Sequence, residues 1–286
     1  MDPFVVLEIG SGSFKLHQEG KFSLRFESSL GKGLKKGKIS NESFLIAQKS
    51  LQEKIIPFLK EHDINPKDVL VFATSAVRQA MKDPSGSGEK FLELLAYFGF
   101  KNIKVFSEDE ECEYAAWAVS SAIGDLHDKF QMLDTGGASH QLVEIENQRI
   151  IKKRSIPIGS HTNLDALNLP NFLDLGFTGQ LPIAVIGTTG YILNNVFNLN
   201  RNTVREMIVT MQKQSVEERR SFLKLLIAEE SVYDLFVDYR LAIFPNSLKI
   251  IYNCIDSLKS NRFLYSESQA MNYISKNGFI PFKANN

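Results

Sequence analysis

Two stretches of this chain carry the same order of residue types: Leu7-Glu8-Ile9-Gly10-Ser11-Gly12-Ser13-Phe14-Lys15-Leu16 and Leu133-Asp134-Thr135-Gly136-Gly137-Ala138-Ser139-His140-Gln141-Leu142. Each sets an acid at the end of an apolar run, then a turn of Gly and Ser, then a second apolar run. Gly10, Gly12, Gly136 and Gly137 let main-chain N–H groups approach an anion with no Cβ in the way, while Ser11, Ser13 and Ser139 add hydroxyl donors. Both loops therefore have the chemistry of a phosphate cradle, and a facing pair suits a polyphosphate ligand. Glu8 and Asp134 would repel that ligand unless a cation lies between. A hard ion such as Mg²⁺, bound through one or two carboxylates plus water and ligand phosphates, matches the pattern.

Two further segments could act on such a ligand. Thr74-Ser75 ends an apolar run and opens a helix that carries Arg78 one turn on, offering N–H groups and a guanidinium fork. The plainer reading is a capped helix with a solvated arginine. Glu108-Asp109-Glu110-Glu111-Cys112-Glu113 places five acids in six residues at a helix start, which the helix dipole accounts for in the main. One of those carboxylates, turned toward a phosphate, could take a proton from an attacking water. Phosphate on one side and an acid on the other is the logic of a hydrolase. The basic loop from Gly31 to Lys38 lacks the Gly-Lys-Ser/Thr ending of a nucleotide P-loop. Its Lys32, Lys35, Lys36 and Lys38 form either a solvated turn or a guide for a polyanion. His17, His62 and His127 lack metal-ligand spacing and read as structural or solvent facing.

These residues need strands to deliver them. Phe4 to Ile9 reads as a buried strand and Phe14 to Phe26 as a hairpin turning at Gln18-Glu19-Gly20-Lys21. A helix capped by Ser40 runs toward His62, with Pro57 predicting a kink or break. Val69 to Ala73 and Ile103 to Phe106 are short strands separated by helix to about Phe98, and an acidic helix runs from Glu108 to about Ile123. The pattern then restarts with strands over Phe130 to Leu133, Gln141 to Ile145 and Arg149 to Ile156. A strand over Pro182 to Gly187 ends in Gly187-Thr188-Thr189-Gly190, read as a strand-to-helix turn or an adenosine-side turn. Mostly helix follows from Asn202 to Leu258, then a strand from Arg262 to Tyr265 and a helix from Glu267 to Lys276. Alternating strands and helices indicate an α/β fold.

At 286 residues the chain can form two cores around a cleft, and the repeat places the halves at 1–125 and 126–286. No apolar run reaches membrane-spanning length, and the acid near the N-terminus does not suit a secretory signal, so a cytoplasmic protein is expected. Cys112 and Cys254 are too few and too far apart for a disulfide framework or a zinc pair, and read as buried small apolar residues. Formal net charge is zero, so no global field recruits nucleic acid.

Taken in order, the first loop, Ala73-Thr74-Ser75-Ala76-Val77-Arg78-Gln79-Ala80, Ser107 to Glu111, the second loop and Ile156-Pro157-Ile158-Gly159 resemble the exopolyphosphatase and guanosine pentaphosphate phosphohydrolase family, Ppx/GppA. A weaker likeness continues through Gly187-Thr188-Thr189-Gly190, Tyr239-Arg240 and Ser266-Glu267-Ser268. The resemblance implies the duplicated actin-like, sugar-kinase and Hsp70-like ATPase fold (ribonuclease H-like), in a short two-domain form. It also implies Mg²⁺- or Mn²⁺-assisted hydrolysis of polyphosphate or of guanosine penta- or tetraphosphate, and allows for a homodimer. By the same resemblance Glu111 activates water, Arg78 and Thr74 contact phosphate with Ser75 beside them, and Glu8 and Asp134 lie near the metal.

The chain departs from the family at Glu8 and Gly12 in the first loop and at Ala138, His140 and Gln141 in the second. Gln141 removes a charge from the metal neighbourhood, Ala138 adds a Cβ beside phosphate, and His140, if cationic, could contact a phosphate oxygen. No Asp follows Arg240, and Met271 stands near where an Arg is common. Two rivals to the hydrolase remain: a non-catalytic member that binds polyphosphate or guanosine tetraphosphate as a regulator, and an ATP-dependent phosphotransferase.

Overall fold

The structure, a computed structural model, describes residues 2–32, 34, 37–137, 139–160, 169–194, 199–226, 237–264, 266 and 269–279, with the side chains of 188, 191, 194, 223–226 and 237–243 left out of the description. The chain divides into two compact units, 1–114 with 270–286, and 115–269.

In the first unit, β1 (Val6–Ile9), β2 (Ser13–Gln18) and β3 (Phe22–Glu27) form an antiparallel meander. The β2–β3 turn falls where the sequence places it, with Gly20 at φ 73° and Lys21 N–H donating to Gln18 O at 3.0 Å. The helix α1 (Asn41–Ser50) is capped by Ser40, whose hydroxyl accepts from Ser43 N–H. It passes through a π-helical turn over Leu51–Ile55 into α2 (Ile56–Glu61), which holds Pro57 in its first turn. The expected kink is thus absorbed as a wider turn, in which Ile56 N–H reaches back to Leu51 O. Two parallel strands, β4 (Leu70–Ala73) beside β1 and β5 (Asn102–Val105) beside β4, complete a sheet of order β3-β2-β1-β4-β5. The helices α3 (Ser75–Ala80), α4 (Ser87–Tyr97) and α5 (Glu108–Ile123) link and follow them.

Alternation along the strands sorts the faces. Leu7, Ile9, Phe14, Leu16, Val71 and Ala73 enter a core closed by Leu51, Ile55, Leu59, Phe91 and Leu95. The opposite face carries the register row Arg25, Lys15, Glu8, Phe72, Lys104.

The second unit repeats this topology. The strands β6 (Lys129–Thr135), β7 (His140–Glu146) and β8 (Arg149–Ile156) form the meander, and β9 (Ile183–Ile186) and β10 (Phe263–Leu264) run parallel, in the order β8-β7-β6-β9-β10. Its helices are α6 (Gly187–Asn194), α7 (Arg201–Lys213), α8 (Val216–Leu226) and α9 (Val237–Ser257). Leu133, Leu142 and Val185 from the sheet pack with Val204, Leu248, Ile251 and Ile255 from the helices.

The expected boundary at 125/126 assigns the last helix to the second lobe. The structure instead packs α10 (Ala270–Asn277) on β1 and β2 of the first unit. Ser275 fixes it there, its carbonyl accepting from Phe4 N–H at 2.7 Å and its hydroxyl donating to Phe4 O at 2.7 Å. The division itself falls inside α5, between Tyr114 and Ala115. Both cysteines are buried, and no described helix is long and apolar enough to cross a membrane.

Candidate functional site

The first loop closes on itself. Gly10 N–H donates to Ser13 O at 3.0 Å, and a Cβ on Gly10 would stand 2.9 Å from that carbonyl, so the turn admits only glycine without a shift. The segment after β3 then anchors it: Ser28 Oγ donates to Gly10 O at 2.8 Å, Ser28 N–H to Gly12 O at 3.2 Å and Gly31 N–H to Ser11 O at 2.6 Å. Ser11 and Ser13 are buried in this frame.

Glu8, expected to lie near a metal, precedes the loop. Lys15, its register partner, donates from Nζ to both Glu8 oxygens, at 2.9 and 3.1 Å, with the two side chains 11% and 13% exposed. The carboxylate's charge is already balanced by an ammonium, which takes one lone pair on each oxygen. As a divalent-cation ligand Glu8 fits poorly.

Beside it lies a second ion pair. Thr74, at the start of α3, is buried, its N–H and hydroxyl both reaching Ile9 O at 3.1 and 3.3 Å, which ties the end of β1 to the helix. Ser75 Oγ accepts from Gln79 Nε2 at 3.1 Å. One turn into α3, Arg78 Nη1 donates at 2.8 Å to Glu111 Oε2 and at 2.8 Å to Phe106 O. The acids of α5 have separate tasks. Glu110 forms a capping box with Ser107, each side chain accepting from the other's N–H, and pairs with Lys104 at 2.6 Å. Partial burial works against its charge, but Lys104 and Ser107 hold its carboxyl below the ordinary glutamate range. Glu111 is the reverse case. Burial raises its pKa above the ordinary value, Arg78 opposes, and the nearby Glu8 and Glu108 add to the rise.

The second loop copies the first. Gly136 N–H donates to Ser139 O at 2.9 Å, a Cβ on Gly136 would lie 2.9 Å from the same carbonyl, and Ser160 Oγ donates to Gly136 O at 3.3 Å as Ser28 does to Gly10. Ser139 is buried, Gly137 lies in the turn, and Ala138 falls outside the described residues. Asp134, next to last in β6, is partly exposed, with its Oδ1 against Gly187, where φ is 78° and a Cβ would come within 2.9 Å. The stretch from Gly187 to Gly190 opens α6 directly after β9, as a strand-to-helix turn does, and Gly190 lies so close to β9 that a Cβ would stand 2.1 Å from Val185 O.

His140 is not the cation that a phosphate contact would need. It is 1% exposed, its Nδ1 lies 2.6 Å from Ile158 O, and burial lowers its pKa to about 4, so the ring is neutral at pH 7. Gln141, the register partner of Asp134, is buried and donates to Ser139 Oγ at 2.9 Å. It braces the loop as Lys15 braces Glu8, without the charge. Asp134 offers one carboxylate, and among the described residues no group of three or more His, Cys, Asp or Glu side chains gathers around a metal position, so a hard cation held there would need water and ligand phosphate to complete its shell.

Tyr239 and Arg240 lie where side chains are not described, and Lys35, Lys36, Glu267 and Ser268 lie outside the described residues. His17, read as structural or solvent facing, sits within β2 and is buried. Sequence reasoning did not single out Lys15, Ser28, Ser160 or the Phe106 carbonyl. The signal for Lys15 was its place opposite Glu8 once the strands on either side of the first loop are paired antiparallel.

A model of the Ppx/GppA phosphatase family matches residues 5–167, more than half of the chain. The chain belongs to that family. Solved structures agree in fold across nearly the full length. An exopolyphosphatase from Cytophaga hutchinsonii ATCC 33406 is 16% identical at a TM-score of 0.74, covering 95% of this chain and 96% of its own. The type II variant of the Aquifex aeolicus Ppx/GppA phosphatase is 18% identical at 0.65, covering 96% and 98%. An exopolyphosphatase-like protein is 16% identical at 0.72, covering 96% and 98%. No curated protein matches the chain. The duplicated actin-like α/β fold is thus the fold of this Ppx/GppA member, and the matched span contains both loops, Thr74, Arg78 and Glu111.

Proposed function

We propose that the chain is a cytoplasmic phosphohydrolase that removes terminal phosphate from inorganic polyphosphate, guanosine pentaphosphate or both. The observation that carries this reading is the largely buried Arg78–Glu111 pair, a carboxylate with a raised pKa fixed beside a guanidinium. Such a carboxylate takes a proton from water more effectively near neutral pH than an ordinary glutamate does. Arg78, held in orientation by Phe106 O, offers positive charge to the phosphoryl oxygens as the leaving bond breaks. The Gly10–Ser13 loop holds phosphate oxygens from the β1 side, with Thr74 tying that strand end to α3, and the Gly136–Ser139 loop binds phosphate in the second unit.

Mg²⁺ or Mn²⁺ held by Asp134 would neutralise phosphate charge when bound. A buried Gln141 beside Asp134 is the observation that favours a regulator instead, because the neutral amide weakens any metal site there. Turnover separates the readings. Metal-dependent phosphate release from long-chain polyphosphate, from guanosine pentaphosphate or from both is expected of the hydrolase. Tight binding of either polyanion with no release would overturn it.

A further inference from the structure

The two units place different residues opposite equivalent acids. In the first, Lys15 faces Glu8 and donates to both carboxylate oxygens at 2.9 and 3.1 Å; in the second, Gln141 faces Asp134 and turns its amide to Ser139. A divalent ion bound to Glu8 at the usual 2.0–2.1 Å would share those oxygens with an ammonium about 3 Å away from them, and the two cations would repel across a poorly hydrated site. The next residue in the register row, Arg25, adds a third positive group to that face of the sheet.

We propose that Lys15 is the resident cation of the first loop and that Glu8 is its positioning residue, so that Glu8 ligates no divalent ion while Lys15 is in place. The inference deepens the hydrolase reading, since it concerns which carboxylate serves a metal, but it is read from metal binding without turnover. A protein that binds metal as described and releases no phosphate refutes the hydrolase alone.

The test is titration of the full chain with Mn²⁺, following the free-ion signal by electron paramagnetic resonance. Glu8→Gln should leave Mn²⁺ affinity within about twofold of wild type. Lys15→Gln, which installs the residue found at the equivalent place in the second unit, should add a Mn²⁺ equivalent or tighten binding by at least about tenfold, on the scale set by adding one carboxylate to a hard-cation site. That gain should vanish in the Lys15→Gln, Glu8→Gln double variant. A tenfold loss of affinity in Glu8→Gln, or unchanged binding in folded Lys15→Gln, would overturn the proposal. Should Lys15→Gln fail to fold, the isosteric Glu8→Gln titration decides alone.

Discussion

Arg78 Nη1 bonds Glu111 Oε2 and the Phe106 carbonyl at the same distance, 2.8 Å, so one nitrogen locks α3 to the N-terminus of α5. This contact orients the candidate base and keeps its charge from being fully suppressed by burial.

The pH profile of turnover follows from that balance. A base must be deprotonated to act, and the Glu111 pKa is raised above 4.5 by burial. The acidic limb of kcat/KM should therefore lie above the range of an ordinary glutamate and move further up in Arg78→Met, which removes the opposing charge. A limb at or below 4.5 in wild type would contradict the assignment.

The closed loops make a stability prediction. Gly10→Ala and Gly136→Ala each drive a Cβ to 2.9 Å from a backbone carbonyl, and each should cost about 1–3 kcal/mol in urea unfolding, as overpacking does. Parallel losses at the two positions would reflect the duplicated geometry. If either variant matches wild type, that turn does not require glycine.

Ser28→Ala removes the hydroxyl that donates to Gly10 O, and Ser160→Ala removes a second, longer donor to Gly136 O, which keeps the Ser160 N–H at 3.1 Å. Each should lower stability by about 0.5–1.5 kcal/mol. Ser28, with the shorter bond at 2.8 Å against 3.3 Å, should cost more.

Acid stability tests the neutral state of His140. Burial depresses its folded pKa from 6.5 to about 4, so the unfolded chain takes up a proton that the folded chain refuses. Its contribution is complete above pH 6.5 and is lost as pH falls toward 4. Denaturant melts of wild type and His140→Gln should converge over that window, and a constant difference would show that the ring does not titrate as described.

Much of the framework was legible in the sequence because it is local. The Ser40 cap, the Gly20 turn and the start of α5 at Glu108 follow from residue types and spacing. The repeat of acid, Gly, Ser and Leu announced two sheets of one topology. Three features depended on tertiary placement. Lys15 reads as an ordinary strand residue until the hairpin register sets it against Glu8. His140 reads as a potential cation until burial, against the opposing pull of the Ile158 carbonyl, makes it neutral. The partner of α10 lies at the other end of the chain, through Ser275 and Phe4, beyond the reach of any local pattern.

The most direct test of the central claim compares wild type with Glu111→Gln for phosphate release from long-chain polyphosphate and guanosine pentaphosphate, with Mg²⁺ or with EDTA, while measuring binding of the same polyanions. We predict a fall in release of about 10²-fold or more, the contribution of a positioned base, with binding retained. Release undiminished in the variant would contradict the role of Glu111, and no release by wild type from either substrate would contradict the hydrolase itself.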